Sequence, residues 1–257
     1  MAIRPTMYFV HSDRDLLLQC APKGGRAAEL GVYTGDHAET MLRTLECREL
    51  HLIDYWRFRV RDHVPFEDVP AHFAELVAVT KAYMGDDPDA KLEACHRQTV
   101  ARFAADRRVV VHREPTSAAV SRFADGHFDL IYVDANHQYE GVMRDLLEYA
   151  PKLARGGLLF LNDHYDAPEG RRQNLGIVGA AAAFVKRTDF RYVALNAAPW
   201  SDLVLTNDPD GAACRHFTAN LLQRNVPIVE LPDQLVPNFA HKLVATSDGK
   251  SKLLPSF

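Results

Sequence analysis

The stretch that decides the fold runs from Phe128 to His164 and reads FDLIYVDANHQYEGVMRDLLEYAPKLARGGLLFLNDH. It contains an apolar run that ends at Asp134, a segment with helical spacing, a pair of glycines, and a second apolar run that ends at Asp163. Short apolar runs without alternation are typical of strands that are buried on both faces. The stretch therefore predicts a strand, a helix and a second strand that lies parallel to the first.

Similar apolar runs recur along the chain, and we predict seven strands from them. They cover residues 26–31, 49–54, 108–112, 128–134, 157–163, 191–196 and 202–207. Helical patterns lie between them, as in 36–46, where Asp36 and Glu39 have the spacing of a capping box. Gly156 and Gly157 are predicted to end the helix that follows the fourth strand. The alternation predicts an α/β fold with a doubly wound, mostly parallel seven-stranded sheet.

Two regions depart from this alternation. Residues 55–107 form a long insertion after the second strand, and such insertions commonly carry substrate contacts. After the last predicted strand, 212–224 has a helical pattern and the rest of the chain has no clear assignment. We interpret 1–207 as one domain with its core over 24–206. Residues 208–257 are then a C-terminal extension that packs on the domain or on a partner subunit, so a homo-oligomer is possible.

Composition narrows the class of partner and the compartment. The chain has 257 residues, of which 47% are hydrophobic and 25% charged, so it can bury a sizeable core. A net charge of −4 without a basic block gives no electrostatic reason to expect nucleic acid. No apolar run approaches the roughly 18 residues of a membrane span. The four cysteines form no Cys-x-x-Cys pair, which favours a reducing compartment. We expect a cytoplasmic protein that acts on a small molecule.

A glycine turn follows the first predicted strand. The chain runs from Glu29 through Gly31 to Gly35, where the first helical pattern begins. In open parallel sheets, ligands bind at the carboxyl ends of the strands, and glycines there let the backbone approach a ligand closely. The second strand ends at Asp54, which is 54 − 35 = 19 residues beyond the second glycine. An acid at that place can accept hydrogen bonds from both ribose hydroxyls of a nucleoside cofactor.

The pattern Glu29-x-Gly31-x-x-x-Gly35 followed by Asp54 resembles the first two motifs of class I S-adenosylmethionine-dependent methyltransferases. The resemblance implies a Rossmann-like methyltransferase fold with S-adenosylmethionine as cofactor. It places the glycine turn near the amino acid part of the cofactor, the second-strand acid at the ribose, and the turn after the third strand at the adenine. The cofactor-binding residues predicted in this way are Glu29, Gly31, Gly35, Asp54, Glu114, Ser117 and Asp134.

Carboxylates also end the fourth and fifth predicted strands. Parallel strands end on one edge of a sheet, so we expect Asp134 and Asp163 to lie close together and near the cofactor. Two adjacent carboxylates repel each other unless they share a proton or a cation, and their hard oxygen atoms suit Mg²⁺. A substrate hydroxyl bound to that ion would have a lowered pKa, and His137 could take its proton.

The pattern Asp134-x-x-His137, followed by the glycine pair and then Asp163-His164, resembles a metal-dependent group of small-molecule O-methyltransferases that includes macrocin-type enzymes. By this resemblance Asp134 and Asp163 are metal ligands, and Mg²⁺ or another divalent cation is the metal. His137 is the catalytic general base. Either Asn162 or His164 is a third ligand.

Plainer explanations exist for these residues. Asp134 and Asp163 could cap the helices that follow them, and His137 could be an ordinary surface or capping histidine. His164 could form a hydrogen bond within its own loop. Other functions also stay open, among them a nicotinamide-dependent oxidoreductase, which the glycine spacing disfavours, an oxygenase, and a catalytically silent methyltransferase-like binding protein.

Overall fold

The protein is described by a computed structural model that covers residues 6–58, 78, 82–198 and 200–257. The strands are β1 (Thr6–Val10), β2 (Arg26–Leu30), β3 (Glu49–Asp54), β4 (Val109–Arg113), β5 (Phe128–Val133), β6 (Leu153–Leu161), β7 (Arg191–Asn196), β8 (Leu203–Thr206), β9 (Ile228–Pro232), β10 (Ala240–Ala245) and β11 (Ser251–Ser256). The helices are α1 (Arg14–Cys20), α2 (Asp36–Leu45), α3 (Pro88–Phe103), α4 (Thr116–Ala119), α5 (Tyr139–Tyr149), α6 (Pro168–Arg172), α7 (Ile177–Arg187) and α8 (Ala212–Leu222). Residues 59–77 and 79–81 of the predicted insertion lie outside the described residues.

The main sheet confirms the predicted fold class and corrects the number of strands. Its order is β4-β3-β2-β5-β6-β8-β7-β1-β9, so nine strands take part instead of seven. All seven predicted strands form, and the two additional strands are β1 and β9. β1 pairs in parallel with β7, and β9 pairs antiparallel with β1 at the edge of the sheet. The β9 segment ends in a proline, which an edge strand tolerates and which weakened its signal in the sequence.

The first predicted helix forms, but without the capping box. α2 begins at Asp36, and its N-cap is Gly35 in a left-handed conformation with a φ of 77°. A glycine has no side chain that could cap the helix. The acids at the expected capping-box positions instead face α3, where Arg102 pairs with both Asp36 and Glu39. The capping-box prediction was therefore wrong, because the turn requires a glycine where the capping side chain would stand.

The glycine pair lies in a strand and does not end a helix. α5 ends at Tyr149, and Pro151 occupies the single 3₁₀ turn that follows, because proline lacks the backbone N–H that a longer helix needs. Gly156 lies within β6 with a φ of 77°. The pairing register of β5 and β6 shifts between Phe128 and Leu130. The glycines therefore accommodate an irregularity in the strand pair.

The topology fixes where a ligand can bind. β2 pairs in parallel with β3 on one side and with β5 on the other, so the direction of winding reverses between β2 and β5. Buried apolar residues form one cluster on each face of the sheet. The crevice at a topological switch point lies outside the carboxyl ends of the strands. The ends of β2, β3, β5 and β6 therefore define the candidate site.

The elements that follow β8 pack on the rest of the protein. α8 contacts β6 and α1, β9 extends the main sheet, and β10 and β11 form a separate two-stranded hairpin. None of the described helices combines the length and the apolarity that crossing a membrane would require.

Candidate active site

The glycine turn after β2 lies directly against the end of β5. Gly31 has a φ of 85°, and a Cβ added to it would lie 2.1 Å from the backbone carbonyl oxygen of Asp134. The backbone N–H of Asp134 donates to the carbonyl oxygen of Leu30, and that of Gly31 donates to the carbonyl oxygen of Ile53. These hydrogen bonds join the ends of β2, β3 and β5. Only glycine fits this position, since any side chain would collide with backbone atoms and would also require a strained conformation.

Asp54 holds this turn in place. Its Oδ2 accepts hydrogen bonds from the backbone N–H groups of Val32 and Tyr33 at 2.8 and 3.0 Å. Its Oδ1 accepts one from the N–H of Trp56 at 2.7 Å. A carboxylate oxygen can accept about two hydrogen bonds, so Oδ1 retains capacity for one more. The structure therefore assigns most of the acceptor capacity of Asp54 to the backbone, and its role at a ribose stays a prediction.

Glu29 lies beneath the turn in the protein interior. Its side chain is 1% exposed, and Oε1 is 2.7 Å from Nδ1 of His37. Oε2 has no hydrogen-bond partner in the described part of the chain. Burial raises the pKa of Glu29, while the bond to His37 opposes that shift. The ring of His37 packs against that of Tyr132, with 4.1 Å between their centroids. Glu29 is therefore buried beside His37, and its role in cofactor binding stays a prediction.

The turn after β4 lies at the same edge of the sheet, because Asp54 pairs in register with Arg113. In this turn Glu114 forms a salt bridge with Arg122, and Ser117 is exposed at the start of the short helix α4. The two residues predicted to contact adenine are thus on the correct side of the sheet. Their role in binding stays a prediction.

His137 bridges the two carboxylates predicted at this edge. Its Nε2 is 3.1 Å from Oδ1 of Asp134, and its Nδ1 is 3.3 Å from Oδ2 of Asp163. β5 and β6 are parallel, and Val133 pairs with Leu161, so the two acids emerge beside each other. The structure therefore brings together the three residues that the sequence placed at the ends of adjacent strands.

The charges in this group are coupled. Burial lowers the pKa of His137, but the hydrogen bond to Asp134 and the charge of Asp163 outweigh it and raise that pKa to about 9. Burial raises the pKa of Asp163 to about 6, and the charge of His137 opposes this shift. At neutral pH the imidazolium form is therefore favoured, and it supplies the positive charge that two adjacent carboxylates need.

The candidates for a third metal ligand do not join this group. His164 is fully buried, its ring centroid lies 5.4 Å from that of Phe239, and burial is the main cause that lowers its pKa to about 3. Neither of its ring nitrogens has a hydrogen-bond partner among the described residues. Asn162 donates its side-chain amide to Asp202 at 3.0 Å. Asp163 has a φ of 55°, and this left-handed turn precedes His164 and changes the chain direction there.

Three further residues contribute to the site and were not found in the sequence. Asp202 is fully buried and accepts a hydrogen bond from the hydroxyl of Tyr132 at 2.9 Å. Arg14 donates to the same hydroxyl, and its Nη2 is 3.6 Å from Oδ2 of Asp134. The antiparallel pairing of β6 with β8 brings Asp202, which precedes β8, to the carboxyl end of β6. A tyrosine inside the apolar run of β5 was the one signal that could have indicated this network.

A cavity of about 450 Å³ opens at the opposite edge of the sheet. Its lining includes Gly24, Arg48, Asp129 and Gly156, which lie at or near the amino ends of β2, β3, β5 and β6. It is therefore separate from the residues described above, and the candidate site is defined by the side chains at the carboxyl edge.

Comparison with solved structures finds distant likenesses. Spermidine synthase from Thermotoga maritima is 14% identical with a TM-score of 0.47, and the match covers 76% of this chain and 58% of that enzyme. The N-methyltransferase NodS from Bradyrhizobium japonicum, in complex with S-adenosyl-l-homocysteine, is 13% identical with a TM-score of 0.49, covering 74% and 81%. SMU.1697c, a putative methyltransferase from Streptococcus mutans in complex with SAH, is 12% identical with a TM-score of 0.47, covering 74% and 93%.

Comparison of sequences gives the assignment. No curated protein matches the chain. A family profile described as a methyltransferase domain matches residues 28–164. This range contains the glycine turn, the acid at the end of β3, and the residues Asp134, His137 and Asp163. The match covers 164 − 28 + 1 = 137 of the 257 residues, more than half of the chain. On this ground the chain belongs to the methyltransferase domain family of class I S-adenosylmethionine-dependent methyltransferases.

Proposed function

We propose that the protein transfers the methyl group of S-adenosylmethionine to a hydroxyl group of a small molecule, and that His137 accepts the hydroxyl proton. The observation that supports this proposal is the position of the imidazole, with one nitrogen 3.1 Å from Asp134 and the other 3.3 Å from Asp163. Methyl transfer to a hydroxyl requires a group that takes up the hydroxyl proton. His137 places such a group at the carboxyl edge of the sheet. The substrate oxygen gains the methyl group, the sulfonium becomes a thioether, and the proton goes to the imidazole.

The residues around His137 have distinct tasks in this proposal. Asp134 and Asp163 fix the plane of the imidazole, because each accepts from a different ring nitrogen when the ring is protonated. A substrate hydroxyl has to replace one of these contacts before it can donate to the ring. The excess of carboxylates at this edge favours a cationic sulfonium cofactor. Gly31 lets the ends of β2 and β5 approach each other closely, which shapes the edge where the cofactor would bind.

A divalent cation is a further part of the proposal. The carboxylate oxygens of Asp134 and Asp163 are hard ligands that suit Mg²⁺, and water or substrate oxygens would complete its coordination. His164 is buried against Phe239, so we do not include it among the ligands. Such an ion would lower the pKa of a hydroxyl bound to it. It would also compete with His137 for both carboxylates.

Calorimetric titration of the protein with S-adenosylmethionine, and separately with NADH, tests the class of function. We expect S-adenosylmethionine to bind and NADH not to bind. Binding of NADH alone would instead support an oxidoreductase. Absence of binding by either compound at about 1 mM, a concentration that detects even weak sites, would support a silent binding protein. Repeating the titration with and without Mg²⁺ in the presence of candidate hydroxylated substrates tests the cation.

The pH dependence of activity tests the role of His137. A general base has to be neutral, and the pKa of His137 is raised to about 9 by Asp134 and Asp163, against the effect of burial. Without a divalent cation, we expect kcat/KM to rise about tenfold per pH unit from acid pH and to level off above about pH 9. With Mg²⁺ on the two carboxylates, the rise is expected at lower pH, because the cation removes the charges that hold the proton. A profile that stays flat across this range would contradict the role.

A further inference from the structure

A second group of histidines and an acid lies at the opposite edge of the sheet. One ligand atom from each of Glu49, His51 and His127 lies within 4.8 Å of the other two. Glu49 and His51 are at the amino end of β3, whereas Asp54 ends the same strand at the candidate active site. At about 3.3 Å per residue, five steps along a strand separate Glu49 from Asp54 by about 17 Å. The second group is therefore distinct from the site of methyl transfer.

One ring nitrogen of each histidine in this group is buried without a hydrogen bond from the described residues. His51 is 6% exposed, and its Nε2 has no hydrogen-bond partner in the part of the chain that the structure describes. The Nε2 of His127 is also buried and without such a partner. Buried polar atoms are normally satisfied, so each of these two nitrogens requires an explanation. The Nε2 of His51 faces Oε1 of Glu49 at 3.1 Å, where two lone pairs would repel each other unless a proton or a cation lies between them.

The contact between two imidazoles is compatible with a metal ligand in this group. Nδ1 of His51 is 2.9 Å from Nε2 of His112, so one ring donates to the other. When His51 is the donor, its Nε2 presents a lone pair toward Glu49 and His127, which is the form that binds a metal. Burial, first among several causes, lowers the pKa of His51, in agreement with a neutral ring.

Glu49 is free to contribute one oxygen atom. Its Oε2 accepts a hydrogen bond from Nε of Arg26 at 3.1 Å, which leaves Oε1 directed toward His51. The aromatic rings of Phe123 and Phe128 pack against His51 at centroid distances of 5.0 and 5.5 Å. They restrict the orientation of the imidazole. The imidazole of His51 is thus oriented by its neighbours, while Glu49 and His127 are partly buried beside it.

We propose that Glu49, His51 and His127 bind a divalent transition-metal ion, and that Zn²⁺ matches the site best. Two imidazole nitrogens and one carboxylate oxygen are a ligand set that Zn²⁺ accepts, whereas Mg²⁺ prefers oxygen ligands alone. Two ligands that are each about 2.0 Å from a tetrahedral ion lie about 3.3 Å apart, and Oε1 of Glu49 and Nε2 of His51 are already 3.1 Å apart. Water takes the fourth position. The ion ties the start of β3 to the residue before β5, across the intervening strand β2.

Titration of the metal-free 257-residue chain with Zn²⁺ tests this proposal, with calorimetry and thermal unfolding as readouts. In a D163N background, which removes a carboxylate of the proposed Mg²⁺ site, we expect one Zn²⁺ per chain and a rise in Tm that Mg²⁺ at the same concentration does not cause. Substituting Co²⁺ should give the visible absorption of a tetrahedral ion. Absence of binding by the folded wild-type protein would overturn the proposal.

Variants locate the ion. Loss of a side chain that only orients a metal ligand lowers metal affinity about 10- to 100-fold, and we expect H112Q to fall within that range. H51Q and H127Q each remove a ligand and should lower Zn²⁺ affinity by more. Two controls should retain affinity: H216Q, which changes an exposed histidine, and D163N, which removes a carboxylate at the other edge. His127 is only partly buried, so its variant is expected to fold even where that of His51 does not. Retention of Zn²⁺ by H127Q, or its loss in D163N alone, would overturn the proposal.

Discussion

Replacing Gly31 by alanine is expected to destabilise the protein by about 3 kcal/mol or more and to weaken S-adenosylmethionine binding at least about tenfold. The added Cβ would lie 2.1 Å from the carbonyl oxygen of Asp134 and 2.6 Å from the Cα of Ala135, so the ends of β2 and β5 would have to separate. Backbone atoms cannot yield as the end of a flexible side chain can. Urea unfolding measures the stability, and calorimetry measures the affinity.

Gly24→Ala is the matched control for this variant. Gly24 has a φ of 77°, close to that of Gly31, but an added Cβ would meet no atom within 4 Å. Its replacement therefore introduces the strain of a left-handed alanine, about 1–2 kcal/mol, without the collision. If both variants lost the same stability and bound the cofactor equally well, close contact between β2 and β5 would play no part in cofactor binding.

Replacing His137 by glutamine is expected to lower kcat by about 10²- to 10⁴-fold while leaving the Kd of S-adenosylmethionine nearly unchanged. Glutamine keeps a polar amide that can donate to one of the two acids, but it cannot take up a proton. The effect should therefore appear in the chemical step, which single-turnover kinetics with a substrate hydroxyl measures. The rise of activity toward pH 9 should also disappear, because the titrating ring with its raised pKa is gone.

His216→Gln is the control for this experiment. His216 is exposed on α8 and lies 2.8 Å from the side-chain amide of Asn220, at one turn of the same helix. Its replacement removes a histidine without touching the carboxyl edge of the sheet, so kcat and its pH dependence should not change. If H137Q kept the activity of this control, the proton would have to be accepted elsewhere, and the proposed role of His137 would be wrong.

Most strands of the sheet were predictable from the sequence, and two were not. β2, β3, β5 and β6 are buried on both faces, so their apolar runs identify them in the sequence. β1 and β9 were missed; both are only partly buried, and β9 also ends in a proline at the edge of the sheet. The glycine pair near the start of β6 was misread for a related reason. A glycine with positive φ ends helices and also occurs where strand pairing is irregular, and the sequence alone does not distinguish these cases.

The site was predictable where it depends on parallel strands. Asp134 and Asp163 end adjacent parallel strands, so topology alone brings them to one edge. Arg14 and Asp202 reach the same place through β1 and through the antiparallel strand β8, and neither arrangement was evident from local pattern. His164 is next to Asp163 in sequence, yet it packs against Phe239 because the chain turns sharply between them.

The sequence by itself determined the fold class, the glycine turn and the identity of the acids at the edge of the sheet, because these depend on the periodicity of apolar residues and on backbone rules that are local. Tertiary structure decided what each acid contacts. Asp54 accepts two hydrogen bonds from the turn and a third from the N–H of Trp56, and His137 lies between Asp134 and Asp163. The distances between side chains depend on how strands from distant parts of the chain pack, and no local pattern encodes them. The same packing gathers Glu49, His51 and His127 at the opposite edge.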